Sequence, residues 1–216
     1  MQKFISNIHP EGYFMITSLF ITTITALFVN PLLSFFISTV LSWSLFFFRD
    51  PNKDILYDGN IIISPTDGVV QKISQIYEGK DLMYRIDIFL SVFNVHINRI
   101  PVSSLVLKLH YIKGEFCNAT LDKSSCKNER QLILLRLKNT KEVYLIQIAG
   151  LLARRIICRL LEGRMVETGE RFGMIKFGSR IDLYIPRNYS IKIKEGEKVV
   201  TNSTIIAYDN LDYILL

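Results

Sequence analysis

The chain has 216 residues, 49% of them hydrophobic, with a formal net charge of +6 and three cysteines. Cys117, Cys126 and Cys158 form no CxxC pair and no metal motif, so neither a disulfide framework nor a metal site is expected, and a reducing compartment follows. No basic run is interleaved with aromatics and no finger or helix-turn-helix pattern occurs, which excludes the usual signatures of nucleic-acid binding; the positive charge suits an anionic lipid surface as well as plain solubility.

Residues 12 to 48 carry no charge, and only Lys3 and Glu11 precede them. A single span needs about 20 apolar residues, or about 17 at the short end. The block is broken at Asn30-Pro31, where proline lacks a donor and restricts the residue before it. The reading is a helical hairpin, Tyr13–Val29 and Leu32–Phe48, inserted from one side, with Tyr13 and Trp43 near an interface. A buried hairpin of a soluble fold would show a polar face, and a cleaved signal peptide would show a small-residue cleavage pattern. Lys3, Arg49 and Lys53 place both ends on the cytoplasmic side. The expected division is 1–48, a membrane-associated helical hairpin, and 49–216, a domain long enough to bury its own core.

Within that domain, "IIISPTDGVVQKIS" reads as strand, Pro-Thr-Asp-Gly turn, strand. "YRIDIFLSVFNVHINRIP" is one long β-branched apolar run ended by Pro101. "LILLRLKNTKEVYLIQIAG" reads as a hairpin around Lys138–Glu142. "LLARRIICRLL" holds a helical pattern that competes with a strand, and Cys158 within it reads as a small buried hydrophobe. "RIDLYIP" alternates Ile181, Leu183 and Ile185 on one face. "SIKIKEGEKVVTNSTIIAY" reads as strand, Glu-Gly turn, strand. Strands dominate, so the expected fold is a β-rich α+β protein: a β-sandwich or barrel-like domain preceded by the hydrophobic helical hairpin.

Three positions carry possible chemistry. Asp67 sits in a tight turn, His96 is one of three histidines and lies in an apolar run, and Ser179 follows Gly178 just before a strand. A carboxylate, an imidazole and a hydroxyl are the parts of a nucleophilic triad, in which the carboxylate fixes the tautomer of the imidazole. Each also has a purely structural reading: an Asp-Gly turn, a core histidine and a loop Gly-Ser pair.

The longer wording decides between them. "FFRDP" at 47–51, "SPTDGVV" at 64–70, "NVHINRIPVS" at 94–103, "KGEFCNATLDKSSCKNER" at 113–130, "QIAGLLARRIIC" at 147–158 and "GERFGMIKFGSRIDLYIP" at 169–186 occur in this order. From about residue 47 to about residue 208 the chain resembles the phosphatidylserine decarboxylase family in its short bacterial and archaeal form. The resemblance implies a proenzyme that cuts itself at Gly178–Ser179 into a large β chain, 1–178, and a small α chain, 179–216, which remain together as a heterodimer. Ser179 would become a covalent pyruvoyl group, with Asp67 and His96 matching the family's acid and base. That group would form a Schiff base with phosphatidylserine, release carbon dioxide and give phosphatidylethanolamine at the cell membrane, with the catalytic domain on the cytoplasmic side.

In longer relatives a second histidine lies three residues before the one matched by His96; here that position is Phe93, which puts any two-histidine scheme in doubt. Arg154 and Arg155 suit bidentate binding of the lipid phosphate, or a structural ion pair. Asn118 and Asn128 are candidates for holding loops near the site. Arg164, Arg171, Lys176 and Arg180 surround the cleavage segment and read as a solvated basic loop or as headgroup contacts. Membrane lipids and a homodimer of the cleaved pair are the further partners considered. The rival readings are an archaetidylserine-type enzyme, a soluble amino-acid pyruvoyl decarboxylase, and an uncut membrane-tethered β-domain adaptor.

Overall fold

The computed structural model describes residues 8–51, 61–78, 81–114, 128–150, 155–176 and 178–209. The chain divides into two compact units, Met1–Asn52 and Lys53–Leu216. Cys117, Cys126, Asn118 and Arg154 lie outside the described residues.

The first unit is an apolar helical hairpin. A short 3-10 turn, Pro10–Gly12, runs into helix α1, Tyr13–Val29, and helix α2 follows at Pro31–Phe47. The break falls at Asn30, whose extended backbone ends α1 and whose Oδ1 accepts from the amides of Leu32 and Leu33 at 2.9 and 3.3 Å. Pro31 occupies the first position of α2, where its missing N–H costs nothing. The second helix thus starts one residue earlier than expected. The Ser34 hydroxyl donates to the Thr23 carbonyl at 2.9 Å and ties the two helices together. Phe14, Phe28 and Val29 are more than four-fifths exposed. Pro10–Val29 is long and apolar enough to cross a membrane, while α2 is a shorter apolar helix.

The second unit is built from antiparallel strands. In chain order they are β1 Ile61–Ile63, β2 Gly68–Glu78, β3 Asp81–Leu90, β4 Ile97–Arg99, β5 Ser104–Ile112, β6 Arg130–Leu137 and β7 Glu142–Ala149. There follow β8 Ile156–Cys158, β9 Met165–Val166, β10 Arg171–Ile175, β11 Ser179–Pro186, β12 Tyr189–Ile191, β13 Lys198–Val199 and β14 Ile205–Asp209. An eight-stranded sheet has the order β13-β2-β3-β11-β7-β6-β5-β9, and two three-stranded sheets have the orders β1-β14-β12 and β4-β10-β8.

Alternation sets the core. Ile181, Leu183 and Ile185 of β11, Ile86 and Ile88 of β3, and Val143 and Leu145 of β7 are fully buried on one face. The expected hairpin at 132–150 forms as β6 and β7, with Arg136 opposite Glu142. The apolar run beginning at Tyr84 is not one strand: it ends at Leu90, turns, and resumes as β4. In the segment with the competing helical pattern, the described residues Ile156–Cys158 are a strand, β8, paired with β10. Two β-branched residues and a partner strand outweigh the apolar spacing there. The fit is so close that a Cβ on Gly173 of β10 would stand 2.1 Å from the Ile157 carbonyl oxygen. The last stretch holds three short strands rather than two.

Candidate active site

Ser179 is the first residue of β11, a central strand whose neighbours are β3 and β7; it stands opposite Leu90 on one side and Ala149 on the other. Its hydroxyl is fully buried and has no hydrogen-bond partner among the described residues. A buried hydroxyl left unpaired costs free energy, which is tolerated where the group has other work. Gly178, just before it, has φ 63, and no described residue beyond its chain neighbours comes within 4 Å of where a Cβ would stand. That backbone conformation favours glycine.

His96 reaches Gly178 because β3 stops at Leu90. Asn94 Oδ1 accepts from the Ser91 amide at 2.9 Å and from its hydroxyl at 2.7 Å, closing a tight turn. The chain then doubles back, and fully buried His96 presents Nε2 3.4 Å from the Gly178 amide nitrogen. Its Nδ1 lies 2.8 Å from the Asn94 carbonyl oxygen. A carbonyl only accepts, so Nδ1 carries the proton and the Nε2 lone pair accepts from the Gly178 N–H. The Asn94 carbonyl thus favours this tautomer.

Asp67 is half-buried in the turn before β2. Its Oδ1 accepts from the Thr201 amide at 2.9 Å. The same turn packs on β4: Arg99 donates its amide to the Pro65 carbonyl at 2.9 Å, and Asn98 Nδ2 lies 3.5 Å from Thr66 Oγ1. Asn98 in turn accepts from Gln147 Nε2 at 2.8 Å. This buried chain of Thr66, Asn98 and Gln147 links the Asp67 turn to β7, next to the strand that carries Ser179. Asn128 braces the other side of the site, donating to the Ala149 carbonyl at 2.7 Å.

The basic residues separate on inspection. Arg155 is exposed, and its carbonyl accepts from the Lys176 amide at 3.4 Å, which puts it beside the cleavage segment. Arg164 pairs with Glu170 at 2.6 Å. Arg180 overturns the expectation of a solvated loop residue: it is 1% exposed and sits in an ion cluster. Its Nε lies 2.7 Å from Asp182, and Arg85 bridges Asp87 at 2.8 Å and Asp182 at 3.0 Å. Burial works against the Arg85 charge, but Asp182 and Asp87 outweigh it and leave its pKa raised. The sequence reading missed this cluster, although a signal was present: Arg-Ile-Asp occurs at 85–87 and again at 180–182. Half-buried Cys158 packs against the core, and burial pushes its thiol pKa up.

A cavity of about 540 Å³ lined by Met83, Tyr144 and Pro186 lies at the other end of β11, about 23 Å from Ser179 at roughly 3.3 Å per residue. It takes no part in this constellation.

Comparison with known proteins supplies the remaining evidence. The family described as phosphatidylserine decarboxylase matches residues 40–207. Proteins named phosphatidylserine decarboxylase proenzyme from Rickettsia akari (strain Hartford) and Rickettsia rickettsii (strain Sheila Smith) are each 41% identical over 206 residues, covering 93% of this chain and 89% of the relative. The protein of that name from Rickettsia bellii (strain OSU 85-389) is 40% identical with the same coverage. By these matches over nearly its whole length, the chain belongs to the phosphatidylserine decarboxylase family.

Proposed function

We propose that this protein is a phosphatidylserine decarboxylase proenzyme, a carboxy-lyase that makes its own pyruvoyl group at Ser179. The observation that carries the proposal is a buried Ser179 hydroxyl without a hydrogen-bond partner among the described residues, preceded by Gly178 at positive φ, whose amide donates to His96 Nε2 at 3.4 Å.

As Ser179 Oγ attacks the Gly178 carbonyl carbon, His96 takes the hydroxyl proton and returns it to the departing amide nitrogen. An O–C bond has then replaced the C–N bond, and the chain is joined through an ester. Loss of the Ser179 α-proton breaks the Cβ–Oγ bond and frees Gly178 as a carboxylate. Water replaces the nitrogen, which leaves as ammonia. Residues 1–178 and 179–216 are the two products. The residues present fit the pyruvoyl group, because the position it would take is enclosed by β3 and β7 and follows Gly178, whose amide meets His96. The group supplies an electron sink for the bond electrons released as carbon dioxide departs from the serine headgroup.

The chain's own residues do the rest. His96 holds and moves the proton at the reacting carbon. Asp67, tied to the Thr201 amide of the small fragment, is the acid paired with it in this reading. Arg155, exposed beside the cleavage segment, offers a guanidinium to the lipid phosphate, with Arg154 as its neighbour in sequence. The apolar helices attach the enzyme to the cell membrane, and Lys3, Arg49 and Lys53 favour the cytoplasmic face.

Denaturing mass analysis of the purified protein tests this directly. Two fragments meeting at 178/179 are expected, the smaller ending in a carbonyl rather than an amine, with Ser179→Ala remaining one chain. A wild-type protein that stays whole, or a Ser179→Ala variant that is still cut, would overturn the assignment.

A further inference from the structure

The buried ion cluster has a simple plan. In the pairing of β3 with β11, Asp87 stands directly opposite Asp182. Arg85 lies two residues to one side of this pair on β3, and Arg180 two residues to the other side on β11. The two Arg-Ile-Asp tripeptides therefore run antiparallel, with two carboxylates at the centre and a guanidinium at each end. The Arg180 fork meets Asp182 through Nε at 2.7 Å and Nη2 at 3.2 Å, and Nη1 lies 3.9 Å from Asp87. Arg85 holds Asp87 at 2.8 Å and Asp182 at 3.0 Å. The side chains of Asp87 and Asp182 are 3% and 0% exposed.

Burying four charges is a poor way to gain stability, since desolvation offsets most of the attraction. What such a cluster does supply is register. A slip of one residue would turn Arg180 and Asp182 into the apolar face occupied by Ile181 and Leu183.

The location gives register a purpose. Cutting at Gly178–Ser179 turns the first residue of β11 into a chain end, and ends fray. Conversion of Ser179 also removes its backbone N–H, because that nitrogen leaves as ammonia, so the end loses a ladder donor. Arg180 is then the first residue that retains both its amide and a buried side chain. Its contact to Asp87, and the contact of Arg85 to Asp182, both cross from the large fragment to the small one. We propose that Arg85, Asp87, Arg180 and Asp182 form an ionic clamp that holds the start of the small fragment in register after the cut, keeping residue 179 beside His96. These are positioning residues, and the proposal rests on the self-cleavage reading.

Hydrogen exchange read by mass spectrometry on the 180–183 amides tests the clamp. The Arg85→Gln/Asp87→Asn pair removes one cation and one anion together and so leaves no uncompensated charge. In the cut protein these amides are expected to exchange about tenfold faster than in the cut parent, whereas in the uncut Ser179→Ala background the same pair should change them by less than about threefold. Arg85→Lys keeps the charge without the fork, and should show the same asymmetry with a smaller factor. Equal factors in the cut and uncut backgrounds, or no change in either, would reduce the cluster to an ordinary structural element. A parent that is never cut removes the self-cleavage reading and the clamp with it; a parent that is cut but shows equal factors removes the clamp alone.

Discussion

His96 Nδ1 donates a hydrogen bond to the Asn94 carbonyl, and Nε2 accepts from the Gly178 amide. A side chain of similar size without a basic nitrogen would fill the same space and lose the proton transfer. His96→Gln is therefore expected to slow self-cleavage by about 10²–10⁴-fold, read as the half-time for appearance of the small fragment after synthesis, with the fold intact by circular dichroism. At this scale the sequence was legible for Ser179, Gly178 and His96 because their types and wording are distinctive. It was not legible for Asn94, whose contribution is a main-chain oxygen that any residue could supply. Nor was it legible for Arg180, since a basic residue next to a Gly-Ser pair reads as loop until the opposite strand is known.

Elements place these groups. The Asp67 turn, β4 and β7 are joined by Thr66, Asn98 and Gln147, all buried away from water. Gln147→Leu would strip Asn98 Oδ1 of its 2.8 Å donor, and the expected loss is about 1–3 kcal/mol in urea unfolding of the uncut Ser179→Ala protein. Hairpin β6–β7 was readable because apolar runs flank a polar Lys-Asn-Thr-Lys turn, and β11 because its apolar residues alternate. The break between β3 and β4 was not readable. The polar residues of 86–97, Asp87, Ser91, Asn94 and His96, follow no single period that marks the turn; it rests on Ser91 and Asn94 bonding one another. Pairing partners were likewise hidden, since β1 and β2 adjoin in sequence yet join different sheets.

For the whole molecule, the division between an uncharged start and a charged remainder was the plainest message of the sequence, because composition alone carries it. The exposed apolar residues of α1 and α2 have no polar face to present to water. Attachment through buried apolar area is insensitive to salt, unlike attachment through the net charge. The protein is expected to stay with membranes in high salt and to be released by detergent. Release by salt alone, measured by sedimentation, would show that the charge and not the helices holds it.

Strand β11 lies between β3 and β7, β13 pairs with β2 and β14 with β1. Under the proposed cut at 178/179, the small fragment would be woven through the large one rather than docked on it, and neither piece could be lifted away without dismantling the sheet. Two copies could then not trade small chains, and a molecule whose proposed prosthetic group had been spoiled could not be refitted with a fresh one. Each polypeptide would mature once, for its own use, and the only renewal open to the cell would be synthesis of a new one.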